Sequence, residues 1–114
     1  MSVDLQLLKK YEQTIEELRG IALTTQQLKN RLLEIEKTLK ELEKSEENHV
    51  FKAMGNILFR TTKEEVIKEL NDEKEVIEIK LKEFERKEKL LRERAKSLER
   101  QLKSRSQGQL TGAG

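Results

Sequence analysis

Two heptad series, separated by a short stretch that breaks the pattern, leave this chain few folds to choose from. Tyr11, Leu18, Thr25, Leu32 and Leu39 recur every seven residues, and Thr14, Ile21, Leu28, Ile35 and Leu42 repeat that series three residues on. Spacings that alternate three and four form the seam of a coiled coil, so residues 4–46 read as one helix. Leu8, Ile15 and Ala22 widen the stripe near its start. Gly20 lies inside the helix, where an exposed Gly costs about 1 kcal/mol against Ala. A second series runs through Ile67, Leu70, Ile77, Leu81, Phe84, Leu91, Ala95, Leu98 and Leu102, with Lys74 and Glu88 at two of its seam positions. Thr62 followed by Glu65 fits a capping box, and Glu64 and Glu65 suit the positive end of a helix dipole. The second helix is therefore expected over 63–104. Charged residues make up 40% of the chain, hydrophobic ones only 34%, and proline is absent. That composition admits coiled coil or disorder, and the periodicity decides for the coiled coil. Residues 105–114 carry no period and are expected to form a disordered tail, all within one domain over 1–114.

The interruption between the helices is the segment His49–Thr62. Val50–Met54 and Ile57–Thr61 are apolar, aromatic or β-branched runs of strand length, expected to pair over about 49–61. Gly55-Asn56 between them suits a two-residue type II′ turn, because Gly accepts positive φ at the first central position. Phe51, Ala53, Ile57 and Phe59 are assigned to one face of this hairpin, and Val50, Met54 and Leu58 to the other. Only Lys52 and Arg60 in these strands are charged. A ribbon apolar on both sides needs a cover, and two strands alone are marginal. The flanking helices offer no globular core, so oligomerisation through Val50, Phe51, Ala53, Met54, Gly55, Asn56, Ile57, Leu58 and Phe59 is the first structural inference. A chain reversed by the hairpin lays its helices antiparallel, each roughly 60 Å long at 1.5 Å per residue. Leu42 would then meet Ile67 near the hairpin, and Leu5 or Leu8 would meet Leu98 or Leu102 at the far end.

Little in the chain resembles reactive chemistry. There is no cysteine and the net charge is only +2. His49 has no Cys or His partner nearby and reads as a polar residue at the helix–hairpin junction rather than a metal ligand. Carboxylate pairs such as Glu46-Glu47 are solvated flanks, and general acid–base work would need a shielded pocket that a two-helix rod lacks. No phosphate-loop or dinucleotide motif occurs. The expectation is a non-enzyme without cofactor or metal. The absence of an apolar run near 18 residues argues against a membrane span, and with Asp4 in place of a signal-type core the expected location is cytoplasmic. Two surfaces invite partners. Arg92, Arg94, Lys96, Arg100, Lys103 and Arg105 meet only Glu93 and Glu99 in their stretch. They fit an acidic protein surface better than nucleic acid, since no aromatic is interleaved for base stacking. Leu5, Leu7 and Leu8 begin the first helix on more than one face, with Leu90, Leu91, Leu98 and Leu102 opposite. They read either as fraying ends that complete the seam or as apolar surface that captures segments of other proteins.

The segment from His49 to Val66, a strand ending in Gly-Asn, an apolar run and a Thr-rich lead into an acidic helix start, resembles the core of prefoldin β-type subunits. The heptad arms extend the resemblance over residues 4–105, and its single hairpin resembles the β type, whereas the α type has two. The short chain is similar to archaeal members. The resemblance implies a heterohexamer of two α-type and four β-type subunits whose hairpins join in β-barrels, with coiled-coil arms hanging from that platform. It further implies an ATP-independent holdase that binds unfolded proteins at its arm tips and passes them to a group II chaperonin. On this chain the tips would be Leu5, Leu7, Leu8, Leu98 and Leu102, with Arg92, Arg94, Lys96, Arg100 and Lys103 as chaperonin contacts. A scaffolding coiled coil and a nucleic-acid-binding coiled coil are the competing readings.

Overall fold

A computed structural model describes residues 2–112, with side chains over 4–105. Its elements follow the order α1 (Ser2–Lys44), β1 (His49–Met54), β2 (Ile57–Thr62) and α2 (Lys63–Gly112). The fold is mainly α, two long helices with one antiparallel hairpin between them, as the interrupted periodicity implies. Three boundaries differ from expectation. α1 stops at Lys44 instead of 46, where the Ser45 hydroxyl accepts the Glu47 N–H at 3.2 Å and turns the chain out of the helix. β2 includes Thr62 and runs into α2 without a linker. The expected disordered tail is helical through Gly112: extending an existing helix costs far less than starting one, and Gln107, Gln109 and Leu110 are good helix formers. The rest of that expectation, at 113–114, lies outside the described residues.

The chain divides into two compact units. In the unit Gln26–Leu81, Ile35 is fully buried and Ile77 nearly so. Leu28, Leu32, Leu39 and Leu42 of α1 and Ile67, Leu70 and Leu81 of α2 are half-buried around them. Burial of one such side chain contributes about 1.5–3 kcal/mol, so this seam is what holds the two helical segments together. Charges bracket it. The Arg31 guanidinium grips Glu73 on the other helix with two N–H donors, one from Nη2 to Oε1 at 2.8 Å. The seam residue Lys74 turns its ammonium toward Glu36 at 4.0 Å.

In the unit built from 2–25 and 82–112, Leu7, Thr14 and Ile21 of α1 and Leu91, Ala95 and Leu98 of α2 are buried. Leu7, rather than Leu5 or Leu8, is the terminal leucine in the seam, because it extends the 14–21 series by one heptad. Polar seam residues are satisfied locally where they can be. The Thr14 hydroxyl donates to the Lys10 carbonyl at 2.8 Å, and Glu88 accepts two N–H bonds from Arg92 at 2.9 and 2.6 Å. The Thr25 hydroxyl is buried with no partner.

The hairpin register pairs Met54 with Ile57, Ala53 with Leu58, Lys52 with Phe59, Phe51 with Arg60 and Val50 with Thr61. Directly paired residues share a face, so the sequence assignment of faces is corrected. Phe51 and Ala53 stand with Leu58 and Arg60, while Val50, Lys52 and Met54 stand with Ile57, Phe59 and Thr61. A two-residue turn sets this parity, and grouping by apolarity alone missed it.

Candidate interaction surfaces

The hairpin is built by local chemistry at both ends. Gly55 has φ +60°, and among the described residues no non-glycine, Asn56 included, has positive φ. That is the pattern of a type II′ turn with Gly first, and the right-handed strand twist favours it. At the base, the Lys63 N–H donates to the Asn48 carbonyl at 2.9 Å, and its ammonium donates to the Ser45 carbonyl at 2.6 Å. One residue thus joins the end of α1 to the start of α2. Thr62 caps α2, accepting the Glu65 N–H at 3.2 Å. The reciprocal half of the expected capping box is redirected: Thr62 is committed to the strand ladder, and the Glu65 carboxylate accepts instead from the Thr61 hydroxyl at 2.7 Å. Lys52 donates to Glu69 at 2.6 Å and ties β1 to α2.

Both faces of this ribbon are open. Phe51 is 70% exposed and Leu58 68% on one face; Met54, Ile57 and Phe59 are exposed on the other. Single exposed apolar residues are ordinary, but five on one short hairpin, spread over both of its faces, are the kind of apolar exposure that marks an interface. Beside it lies an open cleft of about 560 Å³, lined by Leu42, Val50, Val66 and Leu70 and rimmed by the Lys52–Glu69 and Arg31–Glu73 pairs. Heptad spacing and the hairpin pattern do not announce such a cleft. Glu73 in this cleft does not suit proton transfer: the hydrogen bond from Arg31 holds its carboxyl below the usual carboxylate range, outweighing the opposing effect of burial. Glu73 also pushes the Arg31 guanidinium further up, so the pair stays charged. His49 is exposed at the first position of β1, paired in the ladder with Thr62. Among the described residues, no helix is long and apolar enough to cross a membrane.

In the unit of 2–25 and 82–112 the five leucines expected at the tip separate. Leu5 is 54% exposed and Leu8 42%. Leu7 and Leu98 are buried in the seam and Leu102 is half-buried. The basic residues separate too. At 100° per residue Lys96, Arg100 and Lys103 fall within about 60° of one another, whereas Arg94 projects from the opposite side of α2. Arg92 is held by Glu88, Lys103 by Glu99 at 3.0 Å, and Arg105 reaches Asp4 at 3.4 Å. Sequence reading treated 92–105 as one patch because it counted charge along the chain and not around the helix. Leu90, 65% exposed, is more open than Leu5 or Leu8, and its off-seam position was the signal that could have placed it among the open leucines.

The family model described as "Prefoldin subunit" matches residues 5–109. A "Prefoldin subunit beta" of Archaeoglobus fulgidus is 37% identical over 99 residues, covering 86% of this chain and 85% of its own. A protein with the same description from Pyrobaculum calidifontis is 32% identical over 97 residues, 84% of this chain and 78% of its own. The crystal structure of the prefoldin beta subunit from Thermococcus strain KS-1 superposes with a TM-score of 0.78 at 30% identity, over 91% of this chain and 92% of that one.

Proposed function

The chain belongs to the prefoldin subunit family, with the β type as its match, and from that premise we propose that it works as a nucleotide-independent holdase inside a hetero-oligomer. The observation that carries the reading is the hairpin, apolar and exposed on both faces. Further β-type copies and an α-type partner would cover it, strand edge to strand edge and face to face, in a shared barrel. The arms then project several copies of one weak apolar surface, of which Leu5 and Leu8 are the open part on this chain. Leu7, Leu98 and Leu102 support that surface by holding the two helices together. Several weak contacts on one platform raise apparent affinity through effective concentration, and each weak contact lets go without nucleotide. The basic residues Arg92, Lys96, Arg100 and Lys103, with Arg94 on the far side, are the contact offered to a group II chaperonin that receives the client. Such work suits a cytoplasmic protein.

Native mass spectrometry of the chain, alone and mixed with an α-type subunit, tests the assembly; a hexamer that needs the mixture is expected. Suppression of aggregation by the assembled complex tests the capture. Leu5→Ser with Leu8→Ser is expected to weaken suppression and leave the hexamer intact. Unchanged suppression would remove the arm ends from the mechanism.

A further inference from the structure

We propose that one face of the unit built from 2–25 and 82–112 selects acidic amphipathic segments among unfolded clients. The inference rests on the capture reading above and adds a charge preference to it. Lys82, Lys89, Lys96 and Lys103 stand seven residues apart on α2, a column with about 10.5 Å between neighbours. All four are exposed, and only Lys103 is in an ion pair among the described residues. From Lys82 to Arg105, ten basic side chains stand against five acidic ones, so a chain of net charge +2 carries +5 on this stretch.

The second observation lies on α1. Leu8 and Ile15 follow the buried residues Leu7 and Thr14 by one position, and Leu5 is one turn before Leu8. On α2, Arg92 and Glu99 follow the buried Leu91 and Leu98 in the same way. In an antiparallel pair these flanking columns lie on the same side of the seam, with the lysine column just outside the second of them. Leu5 and Leu8 are exposed and Ile15 half-buried. The unit therefore offers an apolar stripe on one helix beside a row of ammonium groups on the other. An unfolded segment with apolar residues on one side and carboxylates on the other matches both at once; a basic segment of equal hydropathy matches only the first. Nucleic acid fits less well. Glu85, Glu93 and Glu99 are interleaved with the lysines, and no exposed aromatic in this stretch could stack on a base.

The test uses the complex of the full-length chain with its α-type partner and three labelled peptides of about 20 residues, each long enough as a helix to pass three lysines. They share one leucine pattern and carry Glu, Lys or Ser at the polar positions. Fluorescence anisotropy at low salt is expected to show the Glu peptide binding about tenfold more tightly than the Lys peptide, from a few exposed ion pairs acting together. High salt should narrow that gap. Lys89→Gln, Lys96→Gln and Lys103→Gln together should abolish it and leave the Ser peptide unaffected. Equal binding of all three peptides, or a preference that survives the triple variant, overturns the charge inference alone. If no peptide binds, the capture reading fails as well. An oligothymidine that binds more tightly than the Glu peptide, through the same lysines, would overturn the proposal in favour of nucleic acid.

Discussion

Thr14 and Thr25 both occupy seam positions where an aliphatic residue would be expected, and they fare differently. Thr14 donates its hydroxyl to Lys10 one turn back, whereas the Thr25 hydroxyl is buried without a partner. A buried unsatisfied hydroxyl costs about 1–3 kcal/mol. Thr25→Val keeps the branched shape and removes that cost, so the variant should be more stable by about 1 kcal/mol, read as a higher midpoint in urea. Thr14→Val should gain less, because there a hydrogen bond is lost. Gly55 makes the opposite prediction. A Cβ at Gly55 meets nothing within 4 Å, so the penalty for Gly55→Ala is one of backbone alone. Left-handed φ costs an L-residue about 1–2 kcal/mol, and thermal unfolding should show a loss of that size. The turn was legible from the sequence because its φ requirement is local to two residues. The hairpin faces were equally legible in principle: Met54 opposite Ile57 fixes every pair above it. Sorting Phe51 with Phe59 by chemical likeness overrode that count.

At the scale of elements, seam residues were readable because heptad spacing carries them; the helix ends were less so, since α2 continues to Gly112 past its last heptad position, and the cross-helix ion pairs were not. Arg31 and Glu73 are 42 positions apart, and nothing in either one's neighbourhood distinguishes it from other flanking charges. Their pairing sets a pH dependence. Arg31 lowers the Glu73 pKa from its ordinary 4.5 in the folded chain. A carboxylate with a depressed folded pKa contributes stability above its unfolded value and loses that contribution as pH falls through the folded one. Both side chains are more than a third exposed, so solvent screening keeps the contribution below about 1 kcal/mol. Wild type should therefore exceed Glu73→Gln slightly in stability at neutral pH and low salt. The gap should close on acidification below about pH 4.5 and shrink in salt. A gap that widened in acid would exclude the Arg31 pairing as its cause. The tip leucines show a different limit. Leu5, Leu7 and Leu8 are neighbours in sequence, yet only the one in heptad register is buried. The register already visible at Thr14 and Ile21 extends to Leu7, so its burial was legible, and the same register leaves Leu5 and Leu8 exposed.

For the whole molecule, the hairpin and the arm ends make separable demands, and that separation gives the sharpest test of the holdase reading. Phe51 and Leu58 share one open face of the hairpin and belong to the unit Gln26–Leu81; Leu5 and Leu8 belong to the other unit. Phe51→Lys with Leu58→Lys places charge where a partner strand or sheet would pack, at a cost of several kcal/mol to any dry interface. The substituted side chains are solvent-exposed in the single chain, so the helical signal in circular dichroism should survive. Sedimentation should then show loss of the oligomer, with both arm helices folded and Leu5 and Leu8 unaltered. If capture depends on several arms held on one platform, this variant should lose suppression of aggregation at equal subunit concentration. The expected fall in apparent affinity is about a hundredfold or more, the scale that effective concentration supplies when linked sites become independent. The Leu5→Ser and Leu8→Ser variant should show the converse, an intact oligomer with weakened capture. If the hairpin variant is dispersed yet suppresses aggregation as well as wild type, one arm is a sufficient binding site and multivalency plays no part.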